Sequence, residues 1–345
     1  MTGLRADAWR ARGEYFSWRP DDPTAAAVDI FHVQAGDPAA PVLVLVHGFP
    51  TSSIDWFDVA DRLGERFRVC ALDFPGYGFS DKPRGWGYNL VRDADLLQFY
   101  LAEVVGAGSA MVVAHDRGDS VALIHAARCA NGTAPVGLDH LFLSNGNMYL
   151  PLSHLTLFQQ LMLDETTAPG VLAAMTPQIL AQGMGAETFT PRRGPGDPEV
   201  EALAATFAHA DGIAVLHETI QYLIERSQDE QSWLATLAAC AIPTTAVWGL
   251  NDTVSPPRVV SFVWQHYLMR KPGRNRLYFI PQANHYLQVD RPDAFVAAVL
   301  HALDSSDDAA PGAIEERPDA PLLVDASRDR IPTAAEVLAA PPPAG

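Results

Sequence analysis

Cysteine, positive charge and long apolar segments are scarce in this sequence, and each shortage excludes a class of protein. The three cysteines, at positions 70, 129 and 240, show no C-x-x-C spacing, so we expect neither a disulfide framework nor a zinc site. Basic residues number 24 against 41 acidic ones and form no cluster, which argues against binding to nucleic acid or to anionic membranes. No run approaches the length of a membrane span, and residues 1–18 lack the apolar core of a signal peptide. We therefore expect a cytoplasmic protein without membrane insertion.

Strand-like and helix-like segments alternate along most of the chain. Hydrophobic residues make up 48% of its 345 residues, enough for a sizeable core. Continuous apolar runs such as residues 41–46 are typical of strands that are buried on both faces of a parallel sheet. Eight strands are predicted, at residues 14–19, 28–34, 41–46, 67–72, 110–113, 140–143, 242–248 and 276–280. Their alternation with helices predicts an α/β fold with a doubly wound, mostly parallel eight-stranded sheet flanked by helices.

The pattern changes between residues 147 and 232, where strand-like runs vanish and helical segments are interrupted by proline and glycine. We therefore predict that residues 147–232 form a helical cap inserted into a core domain of residues 1–146 and 233–304. Residues 305–345 are rich in alanine, proline and acidic residues, a composition that favours a disordered or loosely draped tail over a folded element. The one local exception is a capping-box pattern at residues 333–336, which indicates a single short helix.

The stretch AHDRG, residues 114–118, lies between an apolar run and a helix-like run. This pattern predicts a strand, a one-residue turn and a helix, with the carboxylate of Asp116 exposed at the turn in front of the helix N-terminus. It matches the nucleophile elbow G-x-nucleophile-x-G, in which Ala114 replaces the first glycine and Gly118 keeps the second. A carboxylate at the turn predicts attack on a saturated carbon, which gives an ester intermediate.

Three polar residues, Asp116, Asp252 and His285, each follow a predicted strand. The carboxyl ends of parallel strands share one edge, so we expect these residues to meet there, although a single aspartate in such a place can also be a helix cap. In that array Asp116 is the nucleophile, His285 the base that activates water, and Asp252 the acid that orients the imidazole. The loop HGFP follows the third strand, so the N–H groups of Phe49 and Arg117 are the expected oxyanion-hole donors.

The motifs HGFP, DFPGYGFSDKP, HDRG, GLND and ANH together resemble the epoxide hydrolase and haloalkane dehalogenase branch of the α/β-hydrolase superfamily, over about residues 28–303. Within that branch, HGFPTSS-x-DW, HD-x-GD, LSNG and QYL are similar to the mesoderm-specific transcript protein-like hydrolases. The resemblance implies an α/β-hydrolase fold with a helical cap and a cofactor-independent enzyme that forms a covalent ester on Asp116. Its expected partners are a small-molecule substrate and water, and its expected state is a monomer or a homodimer.

Two positions depart from the family's pattern. Dehalogenases and epoxide hydrolases of this type carry tryptophan where this chain has Arg117, and many dehalogenases carry asparagine where it has Phe49, so the donors that bind halide are missing. An arginine after the nucleophile resembles the fluoroacetate dehalogenases, in which it binds the substrate carboxylate, but their second arginine is Ser120 here. Arg117 is therefore expected either to bind a substrate acid or to form an ion pair with Asp119 or Asp73.

Cap tyrosines protonate the epoxide oxygen in the epoxide hydrolases, and the predicted cap holds two. Tyr222 lies where the family's second cap tyrosine is expected. Tyr149 lies early in the cap and matches the first one poorly. Both are candidate substrate-binding residues, and for both the alternative is packing in a core.

Three functions stay open. The leading one is an epoxide hydrolase-like enzyme that acts on a small apolar substrate. The second is a haloacid or haloalkane dehalogenase in which Arg117 binds a substrate carboxylate, and the third is a binding protein that keeps the fold with little activity. The scattered histidines form no ligand set, so no metal is expected.

Overall fold

A single nine-stranded sheet organises the computed structural model, which describes residues 4–22, 24–304 and 321–325. Its strands run in the order β1-β2-β4-β3-β5-β6-β7-β8-β9. Their bounds are β1 Gly13–Trp18, β2 Val28–Ala35, β3 Val42–Val46, β4 Arg68–Leu72, β5 Ser109–His115, β6 Gly137–Ser144, β7 Thr244–Gly249, β8 Asn275–Ile280 and β9 Leu322–Asp325. The five neighbouring pairs from β4 to β8 are parallel, and the remaining pairs are antiparallel. The predicted α/β class with a mostly parallel sheet is confirmed.

The predicted number of strands is wrong by one. All eight predicted strands are present, and the ninth, Leu322–Asp325, pairs antiparallel with β8. It lies in the segment that the composition predicts as a disordered or draped tail. Its short apolar sequence satisfies backbone groups at the edge that β8 would otherwise leave open. The rest of the predicted tail, including the helix expected at 333–336, lies outside the described residues.

Helices flank the sheet. Their bounds are α1 Leu4–Arg12, α2 Phe57–Gly64, α3 Leu90–Phe99, α4 Arg117–Ala130, α5 Leu157–Leu163, α6 Ala168–Ala174, α7 Pro177–Glu187, α8 Pro198–Ala208, α9 Leu216–Thr219, α10 Tyr222–Ala239, α11 Pro257–Val263, α12 Leu287–Asp290 and α13 Pro292–Asp304. Short 3₁₀ turns occur at Ser53–Trp56, Leu150–Leu152 and His209–Val215, and π-helical turns extend α3 over Tyr100–Val105 and α11 over Trp264–Leu268. Within the described ranges, no helix combines the length and the apolar character needed to cross a membrane.

Helices α5 to α10 lie between β6 and β7 in the chain, in the region predicted as a cap. The last of them, α10, continues to Ala239, seven residues beyond the predicted boundary at 232. It packs against α4, the helix that begins at the elbow. We call residues 147–239 the inserted segment, and its role as a cap stays a prediction.

The N-terminal helix α1, which the sequence pattern did not indicate, joins the core to the inserted segment. Trp9 is buried, and its indole N–H donates to the Ser53 hydroxyl at 3.0 Å. The guanidinium of Arg5 pairs with Asp58 of α2 at 2.6 Å and with Glu199 of α8 at 2.9 Å. Helix α1 therefore connects the core to the inserted segment through the buried Trp9 and through Arg5, which pairs with one carboxylate from each of them.

Candidate active site

Asp116 occupies the turn between β5 and α4, as the elbow pattern predicts. Its backbone has φ 51° and ψ −116°, a region that a residue other than glycine adopts only under strain. A Cβ on Gly118 would lie 2.5 Å from the carbonyl oxygen of Val46, so the close approach of α4 to β3 requires glycine there. The expected exposure is wrong, because Asp116 is only 3% exposed. Tyr222 of α10 contributes to this burial, since its ring centre lies 5.5 Å from the guanidinium carbon of Arg117, the residue after the turn.

The structure brings Asp116, Asp252 and His285 together at the carboxyl edge of the sheet. Nδ1 of His285 lies 3.2 Å from each carboxylate oxygen of Asp252, and Nε2 lies 3.7 Å from Oδ1 of Asp116. Oδ1 of Asp252 also accepts the N–H groups of Val254 at 2.8 Å and Ser255 at 2.9 Å. All three side chains of the array are buried. Their geometry is that of a nucleophile, a base and an orienting acid.

Burial and neighbouring charge act in opposite directions on this array. Burial lowers the pKa of His285, but the carboxylates of Asp252 and Asp116 favour the imidazolium, so the pKa lies above its ordinary value. Burial raises the pKa of Asp116, against the opposing effects of His285 and of the N–H groups of Phe49 and Arg117. Each group therefore holds its proton at a higher pH than it would in water, and the charge on each depends on the other.

The two predicted oxyanion-hole donors both act on the Asp116 carboxylate. The N–H of Phe49 donates to Oδ2 at 2.9 Å, and the N–H of Arg117 favours the charged carboxylate and lowers its pKa. Gly48 makes this approach possible, since a Cβ there would lie 2.5 Å from Cβ of Asp116. The carboxylate is thus held on one oxygen, and Oδ1 points towards His285.

The Arg117 side chain forms a buried ion pair with Asp93 of α3. The two side chains are 2% and 3% exposed. The guanidinium carbon lies 5.2 Å from the ring centre of Tyr77 and 5.5 Å from those of Phe74 and Tyr222. Arg117 is therefore enclosed by aromatic rings and neutralised by a carboxylate of its own chain.

Neither ion-pair partner expected for Arg117 is correct. The Asp73 carboxylate accepts the N–H groups of Ser53 and Phe79, each at 2.7 Å, and so holds the loop after β4. Asp119 accepts the N–H of Ser144 at 3.2 Å. Both carboxylates satisfy backbone donors, which leaves Asp93 as the partner within the described residues.

The structure separates the two candidate tyrosines. Tyr222 is buried, its ring centre lies 6.0 Å from that of Phe49, and burial together with Asp116 raises the pKa of its hydroxyl. It therefore stays a phenol that can donate a proton. Tyr149 instead stacks on Phe262 of the α11 region, with ring centres 4.1 Å apart, and its contact with substrate stays a prediction. Its position follows from the start of the inserted segment, which lies against α11.

A cavity of about 210 Å³ opens beside His285. The core contributes Phe49, Pro50, Val254, His285 and Tyr286 to its walls, and the inserted segment contributes Thr156, Phe158, Gln159, Met175, Ile179, Leu180, Gly183, Met184, Glu187 and Thr188. The residues from α7 were not singled out from the sequence, although their apolar spacing in PQILAQGMGAE marks one face of a helix. Within the described part of the chain, no cluster of three or more histidine, cysteine or acidic side chains is placed to hold a metal ion.

Comparison with known proteins agrees with this fold. The alpha/beta hydrolase family matches residues 43–299. A Mycobacterium tuberculosis protein named as a hydrolase, LipZ, is 31% identical over 303 residues, covering 88% of this chain and 99% of its own. The human mesoderm-specific transcript homolog protein is 29% identical over 308 residues, covering 86% of this chain and 88% of its own. The predicted resemblance to mesoderm-specific transcript protein-like hydrolases is confirmed.

Solved structures of the same fold include the haloalkane dehalogenase DbeA from Bradyrhizobium elkani USDA94. It superposes with a TM-score of 0.68 and 20% identity, covering 83% of this chain and 96% of that one. At this identity the similarity supports the fold alone.

Proposed function

The chain belongs to the alpha/beta hydrolase family, and we propose that it is a hydrolase with an aspartate nucleophile that opens small apolar epoxides without a cofactor. One observation carries the proposal. The residue at the strained turn is a carboxylate, Asp116, which lies 3.7 Å from His285 while its other oxygen accepts the Phe49 N–H. A serine in such a turn attacks carbonyl carbon, whereas a carboxylate attacks saturated carbon and leaves an ester.

In the first step, Oδ1 of Asp116 attacks a ring carbon of the epoxide. The new O–C bond forms as the ring C–O bond breaks, and the ring oxygen takes the phenolic proton of Tyr222. Tyr222 suits this role by its position: its ring centre lies 6.0 Å from that of Phe49, and its buried hydroxyl has no hydrogen-bond partner within the described residues, so its proton is not engaged elsewhere. The phenolate regains its proton from solvent before the next turnover.

In the second step, water attacks the ester carbonyl carbon of Asp116 while His285 takes the water proton. The oxyanion is stabilised by the N–H groups of Phe49 and Arg117, and its collapse releases the diol, whose oxygen takes the proton from His285. The ester no longer carries the Asp116 charge, which raises the pKa of His285 less than Asp252 does, so ester formation lowers that pKa. The imidazole therefore gives up its proton more readily when water must be activated.

The cavity favours a small apolar substrate. Its volume of about 210 Å³ is below the roughly 300–1,000 Å³ of typical ligand pockets. Phe158, Leu180 and Met184 give its walls a largely apolar surface. Such walls stabilise an uncharged chain by burial, and among the described residues no lysine or arginine lines the cavity to bind a carboxylate.

The dehalogenase alternative gains little support from the site. Arg117 is paired with Asp93 and enclosed by three aromatic rings, so its charge is not free to bind a haloacid. A free halide would also meet the Phe49 side chain where many dehalogenases provide an amide. The alternative of a binding protein with little activity is tested by the same experiment as the hydrolase.

The test is a single turnover in oxygen-18 water with a panel of small epoxides and 2-haloacids, followed by mass spectrometry of the protein's peptides. We expect label in the peptide that contains Asp116 and only with epoxides, because water attacks the enzyme ester and not the substrate carbon. Label in the diol with none in Asp116 would refute the covalent route. Absence of turnover across the panel would favour the binding protein.

Tyr222→Phe discriminates between the two leaving groups. Loss of the phenol should strongly slow epoxide opening, since the ring oxygen then leaves without a proton. Halide needs no proton to leave, so dehalogenation should change much less. Equal activity of Tyr222→Phe and the wild type on epoxides would remove the tyrosine from the mechanism.

A further inference from the structure

A single buried amide, Asn284, joins three parts of the site. Its Oδ1 accepts the N–H of His285 at 2.8 Å and the N–H of Thr253 at 3.0 Å. Its Nδ2 donates to the carbonyl oxygens of Glu187 at 3.1 Å and Phe189 at 3.4 Å. The amide therefore contacts the loop that carries the acid, the loop that carries the histidine, and the inserted segment.

Asp290 of α12 makes a second connection of the same kind. Its Oδ2 accepts the N–H of Asn284 at 2.8 Å and the N–H of Thr190 at 2.9 Å. The Thr253 hydroxyl adds a third, since it lies 3.0 Å from the carbonyl oxygen of Glu187 and 3.2 Å from Oδ1 of Asn284. Residues 187–190 are thus bound by four hydrogen bonds to the two loops that hold Asp252 and His285.

Two of these four residues belong to the substrate cavity, and a third packs beside it. Glu187 and Thr188 line it, and the ring of Phe189 stacks on Tyr286, the neighbour of His285, with ring centres 4.9 Å apart. A shift of residues 187–190 would therefore move the cavity wall and, at the same time, displace the loop that carries His285. Asn284, His285 and Phe189 are buried, so water does not replace the hydrogen bonds that their groups lose, whereas Glu187 and Thr253 are exposed.

We infer that Asn284 and Asp290 are positioning residues that hold His285 for ester hydrolysis while residues 187–190 are docked on its loop. The inference rests on the proposed function. In that mechanism the attack of Asp116 does not use His285, whereas hydrolysis of the ester does. Loss of either positioning side chain should therefore slow the second step and spare the first.

The experiment mixes each variant rapidly with 1,2-epoxyhexane, or with whichever epoxide of the panel is turned over fastest, and follows the mass of the intact protein. Asn284→Ala and Asp290→Ala should accumulate the ester, with hydrolysis slower by about tenfold or more, as expected for a displaced catalytic group. Asp290→Asn keeps an acceptor oxygen for both N–H groups and should restore hydrolysis to near the wild-type rate.

Asn89→Ala is the matched control. Asn89 caps α3 by accepting the N–H of Arg92 at 2.8 Å, so its loss weakens the fold without removing a hydrogen bond of residues 187–190 or of the loops that hold Asp252 and His285. It should accumulate no ester. If Asn284→Ala does not fold, Thr253→Val removes one hydroxyl of the same connection and should slow hydrolysis to a smaller extent.

The variant His285→Gln distinguishes failure of the proposed function from failure of the positioning role alone. Its ester should persist if the proposed function is correct, and failure to trap any ester in it would refute that function. A trapped ester in His285→Gln together with wild-type hydrolysis in Asn284→Ala and Asp290→Ala would overturn only the positioning role. An equal slowing of both steps in those variants would also overturn it, because a general loss of structure has that effect.

Discussion

Asp93→Asn should destabilise the protein by about 3–5 kcal/mol, the typical effect of removing one partner from a buried ion pair. The two side chains of the pair are 2% and 3% exposed, so the Arg117 charge would be left in an apolar site lined by aromatic rings. Arg117→Met alone should have a comparable effect, because it leaves the Asp93 carboxylate buried without its ion-pair partner. The double variant Arg117→Met/Asp93→Leu removes both charges and should recover most of the loss.

Urea unfolding of the three variants measures the coupling between the two residues. Asp95→Asn is the matched control: Asp95 pairs with Arg128 at 2.7 Å, but the two side chains are 48% and 23% exposed, so the change should be below about 1 kcal/mol. Additive effects, or a loss below about 1 kcal/mol for Arg117→Met, would refute a structural role for the pair. Haloacid turnover gained by Asp93→Asn would show instead that a freed Arg117 binds substrate.

Three further predictions concern the carboxylates. Gly48→Ala should abolish epoxide turnover in steady-state assays, because the added Cβ would lie 2.5 Å from Cβ of Asp116. Retained activity would show that the loop of Gly48 can move to accommodate the methyl group. Burial lowers the pKa of His285 and Asp252 raises it. In Asp252→Asn the pH at which ester hydrolysis accelerates should therefore be lower, and hydrolysis of the trapped ester as a function of pH measures this shift. An unchanged pH profile would contradict the pairing of His285 with Asp252. Burial raises the pKa of Glu199 to about 7, so the folded state binds this proton more tightly than the unfolded state, and stability falls as the pH rises. Between pH 5 and 8 that fall is about 2–3 kcal/mol from Glu199, and urea unfolding of Glu199→Gln should show a pH dependence reduced by that amount.

The sheet could be predicted from the sequence because its signals are local. Each central strand is a continuous apolar run that ends at glycine, proline or a polar residue, and all eight predicted strands are present. Two of the elements that were missed depend on distant partners. Helix α1 is largely polar and is held by Trp9 and Arg5, and β9 is a four-residue strand that forms only against the edge of β8.

The array at the edge of the sheet was also predictable, since a turn residue and two strand ends specify where Asp116, Asp252 and His285 lie. Contacts between side chains of separate elements were not. Asp93 precedes Arg117 by 24 positions on another helix, and no spacing rule connects them. The amide of Asn284 belongs to the motif ANH, yet its contacts with residues 187–190 follow only from how the inserted segment lies on the core.

The Arg117–Asp93 pair also bears on the chemistry of the nucleophile. An unpaired guanidinium beside Asp116 would stabilise its carboxylate, lower its pKa and make it a weaker nucleophile. Asp93 neutralises that charge, so burial keeps the pKa of Asp116 raised. His285 is then the neighbouring cation that stabilises the Asp116 carboxylate. In the proposed mechanism the charge of Asp116 disappears when the ester forms, and the loss of this charge lowers the pKa of His285. In that proposal, the Arg117–Asp93 pair both engages the arginine that would bind a haloacid and leaves His285 as the cation beside Asp116.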